Sequence, residues 1–340
     1  MTGSKLATIL NGCKEESKPF RDRQSLRAGR RGPAYGYGPA RQLALPLYPT
    51  SSGKPDPAGI RRLRRYYSRI VSMIRLPLRF TRQYPQPGEE ADESGIVNAF
   101  AEDTFEASES ALVLVDIRNV GLGPDPLHPE VSLRDERRQA VGVSLIERSR
   151  RMVEDNIIPA VAAARSIGIP IIHEANTPLA RALPQFQKWY IPDPPNPHAG
   201  WPPPGIAAQN DTEHFNRRFG EDYAEKKEKV LPLYDLVIPI ESNDYVVCTT
   251  ASAQKVLKHL GATNIFYMGF LLNSCIMEKG AGFLNMRRRG YKIVVFRDCT
   301  TGLHNAETLE GLWADKAWLE YVEVDAYTAT AVDFIKACEA

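Results

Sequence analysis

The sequence predicts an α/β protein whose mostly parallel sheet is covered by helices on both faces. Three observations carry this reading. Short, nearly continuous apolar runs such as Ala111–Asp116 (ALVLVD) read as strands buried on both sides. Segments of helical periodicity separate these runs. The stretch Ile265–Gly302 reads as strand, sharp turn, helix, strand, the repeating unit of such sheets.

Residues 1–58 are rich in Gly, Pro, Ser and Arg and show weak hydrophobic periodicity, so they read as a loosely held arm. In residues 60–76, Ile60, Leu63, Tyr67, Ile70 and Ile74 recur at helical spacing with arginines between them. This predicts a basic amphipathic helix ended by Pro77. Residues 83–110 read as a linker and approach segment, so the arm and linker take up about residues 1–100 and the folded domain about 105–340. That domain opens with strand Ala111–Asp116. A helix over Leu145–Ser166 follows, with Pro159 inside it, then strand Ile169–Ile172. Residues 176–235 form a Pro- and Trp-rich insertion, long enough for a lid or an interface segment. Next come strand Tyr245–Val247, helix Ser252–Leu260 and strand Ile265–Met268. A helix from Cys275 to about Arg289 leads to strand Ile293–Phe296. Helices around Ala306–Tyr321 and Thr330–Ala337 close the chain.

The 340 residues are 43% hydrophobic, enough for a full core, and no run of 18 apolar residues predicts a membrane span. The N-terminus lacks the apolar stretch of a secretory signal. Five scattered cysteines without a C-x-x-C pair suggest neither a disulfide framework nor a zinc knuckle, so a reducing cytoplasm is expected. The net charge of +2 hides an asymmetry. Residues 1–88 carry 18 Lys and Arg against 4 Asp and Glu, while the remainder carries 25 against 37. The basic arm suits contact with nucleic acid or an anionic membrane, or packing on its own domain or a partner subunit, which is the favoured reading.

Cys275 falls where a helix begins, with Asn273 and Ser274 as capping candidates. Free backbone N–H groups and the helix dipole there favour a thiolate and can hold an oxyanion. A small buried apolar cysteine is the competing reading. Asp116 ends the first strand, so both residues fall at the carboxyl edge of the sheet, where active sites of such folds lie. An acid beside a thiol can shuttle its proton; a turn or helix-capping aspartate is the alternative.

ALVLVDIRN, followed by GFLLNSCIMEKGAGFLNMRRRGYKIVVFRDCTTG, resembles the isochorismatase-like cysteine hydrolases over roughly Ser110–Ala337. The resemblance implies a three-layer α/β/α fold, homo-oligomers, a small-molecule substrate, and hydrolysis at amide, imide or vinyl-ether centres. It makes Cys275 the nucleophile and Asp116 the general acid/base. It places a non-proline cis peptide in the turn Phe270-Leu271-Leu272 and an oxyanion hole on the backbone N–H groups of Leu271 and Cys275. Asn119 fills the asparagine of its first motif. The family's catalytic lysine follows the third strand, and Thr249 occupies that slot here. The segments RDCTTG and FIKAC resemble a subgroup that lacks this lysine.

Four residues past Cys275, Lys279 is the candidate substitute, on the same face of the expected helix. His173 is a candidate substrate contact or a structural histidine. Trp189 and Trp201 are candidate pocket walls. None of the six histidines has the metal-ligand spacing of the nicotinamidase branch, and no cofactor is implied. Two functions follow: a cysteine hydrolase of C–N bonds other than peptide bonds, or a protein of the same fold that binds a small molecule or partner without catalysis.

Overall fold

The computed structural model describes residues 72–118, 145, 147–175, 178–195, 200–221 and 236–340. Asn119, Ile146 and residues 60–71 of the helix expected over 60–76 lie outside them. One eight-stranded sheet organises the chain. Its strands are β1 (Met73–Arg82), β2 (Val97–Glu106), β3 (Ser110–Val115), β4 (Ile171–Glu174), β5 (Tyr245–Val247), β6 (Asn264–Gly269), β7 (Lys292–Phe296) and β8 (Tyr327–Ala329). They lie in the order β2-β1-β8-β7-β6-β3-β4-β5. The six strands from β8 to β5 are parallel; β1 is antiparallel to both its neighbours.

Alternation along the strands feeds two cores. Leu112, Leu114, Phe266, Met268, Val294 and Phe296 face one side. There they meet α1 (Ile158–Ser166), the π-helical turn Val153–Ile157 before it, and α9 (Ala331–Glu339). Ala111, Val113, Val115, Ile265, Tyr267, Ile293 and Val295 face the other side. They meet α5 (Thr250–Leu260), α6 (Cys275–Glu278), α7 (Phe283–Arg287) and α8 (Trp313–Asp325). The result is a three-layer α/β/α fold. The insertion contributes α2 (Pro178–Ala182), α3 (Pro184–Trp189) and α4 (Pro204–Phe219). No helix among the described residues is long and apolar enough to cross a membrane.

The folded unit starts earlier than the sequence suggested. Met73–Ile74-Arg75-Leu76 is not the end of a helix. From Met73 the chain alternates with period two, and Ile74, Leu76 and Leu78 are fully buried. Burying them stabilises the sheet by roughly 1.5–3 kcal/mol each. Pro77 is tolerated because β8 pairs with β1 only at Arg79. The expected linker contains β2, a largely exposed edge strand whose polar sequence hides its register with β1. β8 was also missed, being three residues long without turn signals.

The helix expected over Cys275–Arg289 is two short helices. It breaks after Glu278, where Lys279 adopts an extended conformation. The run Gly280-Ala281-Gly282 explains the break, since glycine interrupts a helix cheaply. Gly280 has a further reason to be glycine. A Cβ there would stand 2.5 Å from the Thr249 carbonyl carbon and 2.6 Å from its Cα. The break therefore lets the chain lie directly on the Thr249-Thr250 backbone.

Candidate active site

β3 and β6 are neighbours, with Val115 opposite Gly269. Asp116 leaves β3 with a positive φ of 48°, an αL conformation that aspartate tolerates better than most residues. Such backbone outliers cluster at functional sites. Beyond Gly269 the chain turns through a cis Phe270–Leu271 peptide. Phe270 N–H donates to the Val115 carbonyl at 2.9 Å, and Leu272 N–H to the Thr301 carbonyl at 3.1 Å. These bonds fix the turn between β3 and the segment after β7. Among the described residues, neither the Leu271 nor the Cys275 N–H has a backbone acceptor.

Cys275 opens α6, half-buried, with Ser274 Oγ 3.9 Å from its sulfur. The buried Asp116 carboxylate is close enough to its thiol to raise the thiol pKa. Lys279 Nζ donates to Asp116 Oδ1 at 2.6 Å, and this lysine is only 9% exposed. Arg118 Nη2 stands 3.6 Å from the other oxygen, Oδ2. Asp116, Cys275 and Lys279 are therefore one cluster.

The helical-face argument put Lys279 within reach of the Cys275 thiol; its contact in the structure is instead with Asp116. The residue lies just past α6, and the broken helix sends its side chain to Asp116. The same turn rests on Thr249, where the resemblance led one to expect a lysine. Thr249 itself faces elsewhere. Its Oγ1 caps α5, accepting Ser252 N–H at 3.1 Å and donating to the Ile191 carbonyl at 2.5 Å.

Charge in this cluster is settled by proximity. Burial pushes the Asp116 carboxyl up, but the Lys279 ammonium, helped by Arg118, outweighs it and holds the carboxyl below its ordinary value. Burial opposes the Lys279 charge, yet Asp116 and then Glu174 raise its pKa. The Cys275 thiol goes the other way from the expectation. Burial, reinforced by the Asp116 anion, raises it to about 11 despite Lys279. A helix of four residues brings too small a dipole to compete. The resting site is a neutral thiol beside an ion pair.

The structure places three other candidates. His173 Nε2 lies 3.4 Å from Asp244 Oδ2, which also accepts from Arg165 Nη2 at 2.6 Å. His173 is 2% exposed. Trp189 packs on Tyr245 and His259 with ring centroids 5.4 and 4.8 Å away. Trp201 is 81% exposed. Cys248 and Cys299 are buried, and Asp298 caps α9 through Ala331 N–H. Among the described residues, no three His, Cys, Asp or Glu side chains converge as metal ligands.

Sequence reasoning missed Arg118 and Glu174. Glu174 ends β4 and is 1% exposed. Its Oε2 accepts Ala281 N–H at 3.1 Å, and its Oε1 has no hydrogen-bond partner. An acid at the carboxyl end of a buried strand was the available signal. Burial raises its pKa from 4.5 to about 8. An acid raised on folding adds stability below its unfolded pKa and loses it as pH climbs through the folded one. Glu174→Gln cannot ionise. Its melting temperature relative to wild type should therefore rise as pH goes from 5 to 9, by an amount reflecting a few kcal/mol at most. A difference that stays flat across this range would contradict the buried neutral acid.

No family model and no curated protein matches the sequence. Solved structures do. A cysteine hydrolase from Pseudomonas syringae pv. phaseolicola is 12% identical, over 69% of this chain and 94% of that one, with a TM-score of 0.44. An isochorismatase from Pseudomonas putida is 15% identical, over 66% and 90%, with a TM-score of 0.35. A nicotinamidase from Staphylococcus aureus is 11% identical, over 66% and 99%, with a TM-score of 0.34.

Proposed function

We propose that this protein is a cysteine hydrolase of the isochorismatase-like kind, acting on a small amide, imide or related C–N substrate. The observation that carries the proposal is the 2.6 Å contact of Lys279 with Asp116 beside Cys275, which restores an acid–ammonium–thiol trio without the usual lysine.

The chemistry follows from the resting charges. The bound carbonyl is attacked by the Cys275 sulfur as Asp116 takes the thiol proton. A C–S bond forms, and the carbonyl electron pair moves to oxygen, held by the Leu271 and Cys275 N–H groups. Asp116 then returns the proton to the leaving nitrogen as the C–N bond breaks, leaving a thioester. Water, deprotonated by Asp116, hydrolyses that thioester to the acid and the free thiol. Lys279 keeps Asp116 ionised at the start of each half-reaction. The scattered, unpaired thiols suit a reducing cytoplasm.

The test uses the full chain, an amide and ester panel, and the iodoacetamide alkylation rate of Cys275 against pH, in wild type and Asp116→Asn. Removing the Asp116 anion while keeping Lys279 should move alkylation to lower pH. Turnover should nonetheless fall by about 100-fold or more, because the proton shuttle is gone. An inaccessible thiol, indifferent to Asp116, would sink the hydrolase reading and favour a binding protein of the same fold.

A further inference from the structure

A lysine presented from a turn needs a different support from one presented on a helix. Lys279 is followed by Gly280-Ala281-Gly282, a sequence with little intrinsic stiffness. Three buried polar groups hold it. Asn285 Nδ2 donates to the Lys279 carbonyl at 3.0 Å. Tyr267 Oη donates to the Ala281 carbonyl at 2.5 Å. Glu174 Oε2 accepts Ala281 N–H at 3.1 Å. Of the three, only Glu174 comes from the strand edge next to Asp116, whose own N–H donates to the Glu174 carbonyl at 3.2 Å. One residue thus touches both the backbone that carries the acid and the backbone that carries the ammonium.

We propose that Glu174 is a positioning residue for Lys279: its buried carboxyl, seated on Ala281 N–H, fixes the 279–282 turn so that the ammonium stays on Asp116. This rests on the reading of Lys279 above. Near pH 7 Glu174 is mostly uncharged, its pKa being about 8. Removing it there changes little charge in the site, so any effect on Cys275 must pass through the placement of Lys279.

The experiment measures iodoacetamide alkylation of Cys275 in the full chain, by mass spectrometry, between pH 6 and 9. Four variants are compared with wild type: Lys279→Met, Glu174→Met, Glu174→Gln and the double variant Glu174→Met/Lys279→Met. Methionine fills the volume of Glu174 without an acceptor; glutamine keeps the acceptor. Lys279 lowers the thiol pKa while the Asp116 anion raises it, so Lys279→Met should slow alkylation at the alkaline end of this range, where Asp116 stays ionised. Glu174→Met should slow it in the same direction, by about threefold or more for a half-unit rise in thiol pKa. Glu174→Gln should match wild type at pH 7. The double variant should be no slower than Lys279→Met alone, since both changes remove one arrangement.

Glu174→Met with a wild-type profile and an intact melt would overturn the proposal while leaving Lys279 in place. So would additive slowing in the double variant, or equal defects in the Met and Gln variants. Lys279→Met with a wild-type profile would overturn both the reading of Lys279 and this inference.

Discussion

Lys279→Met is expected to lose both stability and thiol reactivity, and the stability loss should depend on pH. The substitution leaves the Asp116 carboxylate buried with its closest cation gone. Breaking one side of a buried ion pair typically costs 3–5 kcal/mol, because the remaining charge has surrendered its hydration without compensation. For a domain of this size that corresponds to a melting temperature lower by roughly 10 °C. In wild type the Asp116 pKa is depressed, so its contribution is present above the ordinary carboxylate pKa of 3.8 and lost as pH falls through the folded value. In Lys279→Met burial prevails and the same pKa rises. The variant should then be least stable relative to wild type near pH 8 and recover as pH falls toward 5. Thermal melts at both values decide it. A penalty below about 1 kcal/mol, or one independent of pH, would mean that the pair is not the buried contact described here.

The residues that made this cluster legible in the sequence did so unequally. β3 and β6 stood out because strands buried on both faces are apolar throughout, and the same signal marked β5 and β7. Asp116 and Cys275 followed from them, since the carboxyl ends of parallel strands converge. Lys279 was found by counting four residues along a helix that does not continue. The chain reaches the same place because Gly280 lets the turn settle on Thr249, a long-range contact that no local pattern records. Glu174 was missed for a related reason: an acid at the end of a strand usually caps a turn, and only the tertiary fold buries this one on Ala281 N–H. The start of β1 was read as helix because a basic sequence with apolar residues satisfies both periods over a short window, and β2 was read as linker because its sequence is largely polar. The tie is broken by the core that Ile74, Leu76 and Leu78 enter.

Gly269→Ala should be among the most damaging single-methyl changes in the chain. Gly269 ends β6 with a φ of +123°, and a Cβ there would stand 2.1 Å from the Val115 carbonyl oxygen and 2.8 Å from the Val115 nitrogen. Those are backbone atoms of β3, one residue before Asp116, and no side-chain rotation relieves the overlap. The same Val115 oxygen accepts Phe270 N–H, so separating the strands also breaks the bond that starts the cis turn. Gly290→Ala supplies the comparison. Gly290 has a φ of +87° with nothing within 4 Å of the added methyl, so its cost is backbone strain alone, about 1–2 kcal/mol. Gly269→Ala should exceed about 4 kcal/mol, the range reached only by disrupted packing or networks. Chemical denaturation of both variants measures the difference. If Gly269→Ala merely tracks Gly290→Ala, the strands are not held in the close approach that brings Asp116 to the oxyanion turn. If it is far worse, the glycine between β6 and Phe270 is required by the geometry of the site itself, because only a missing side chain lets acid and thiol meet across that edge.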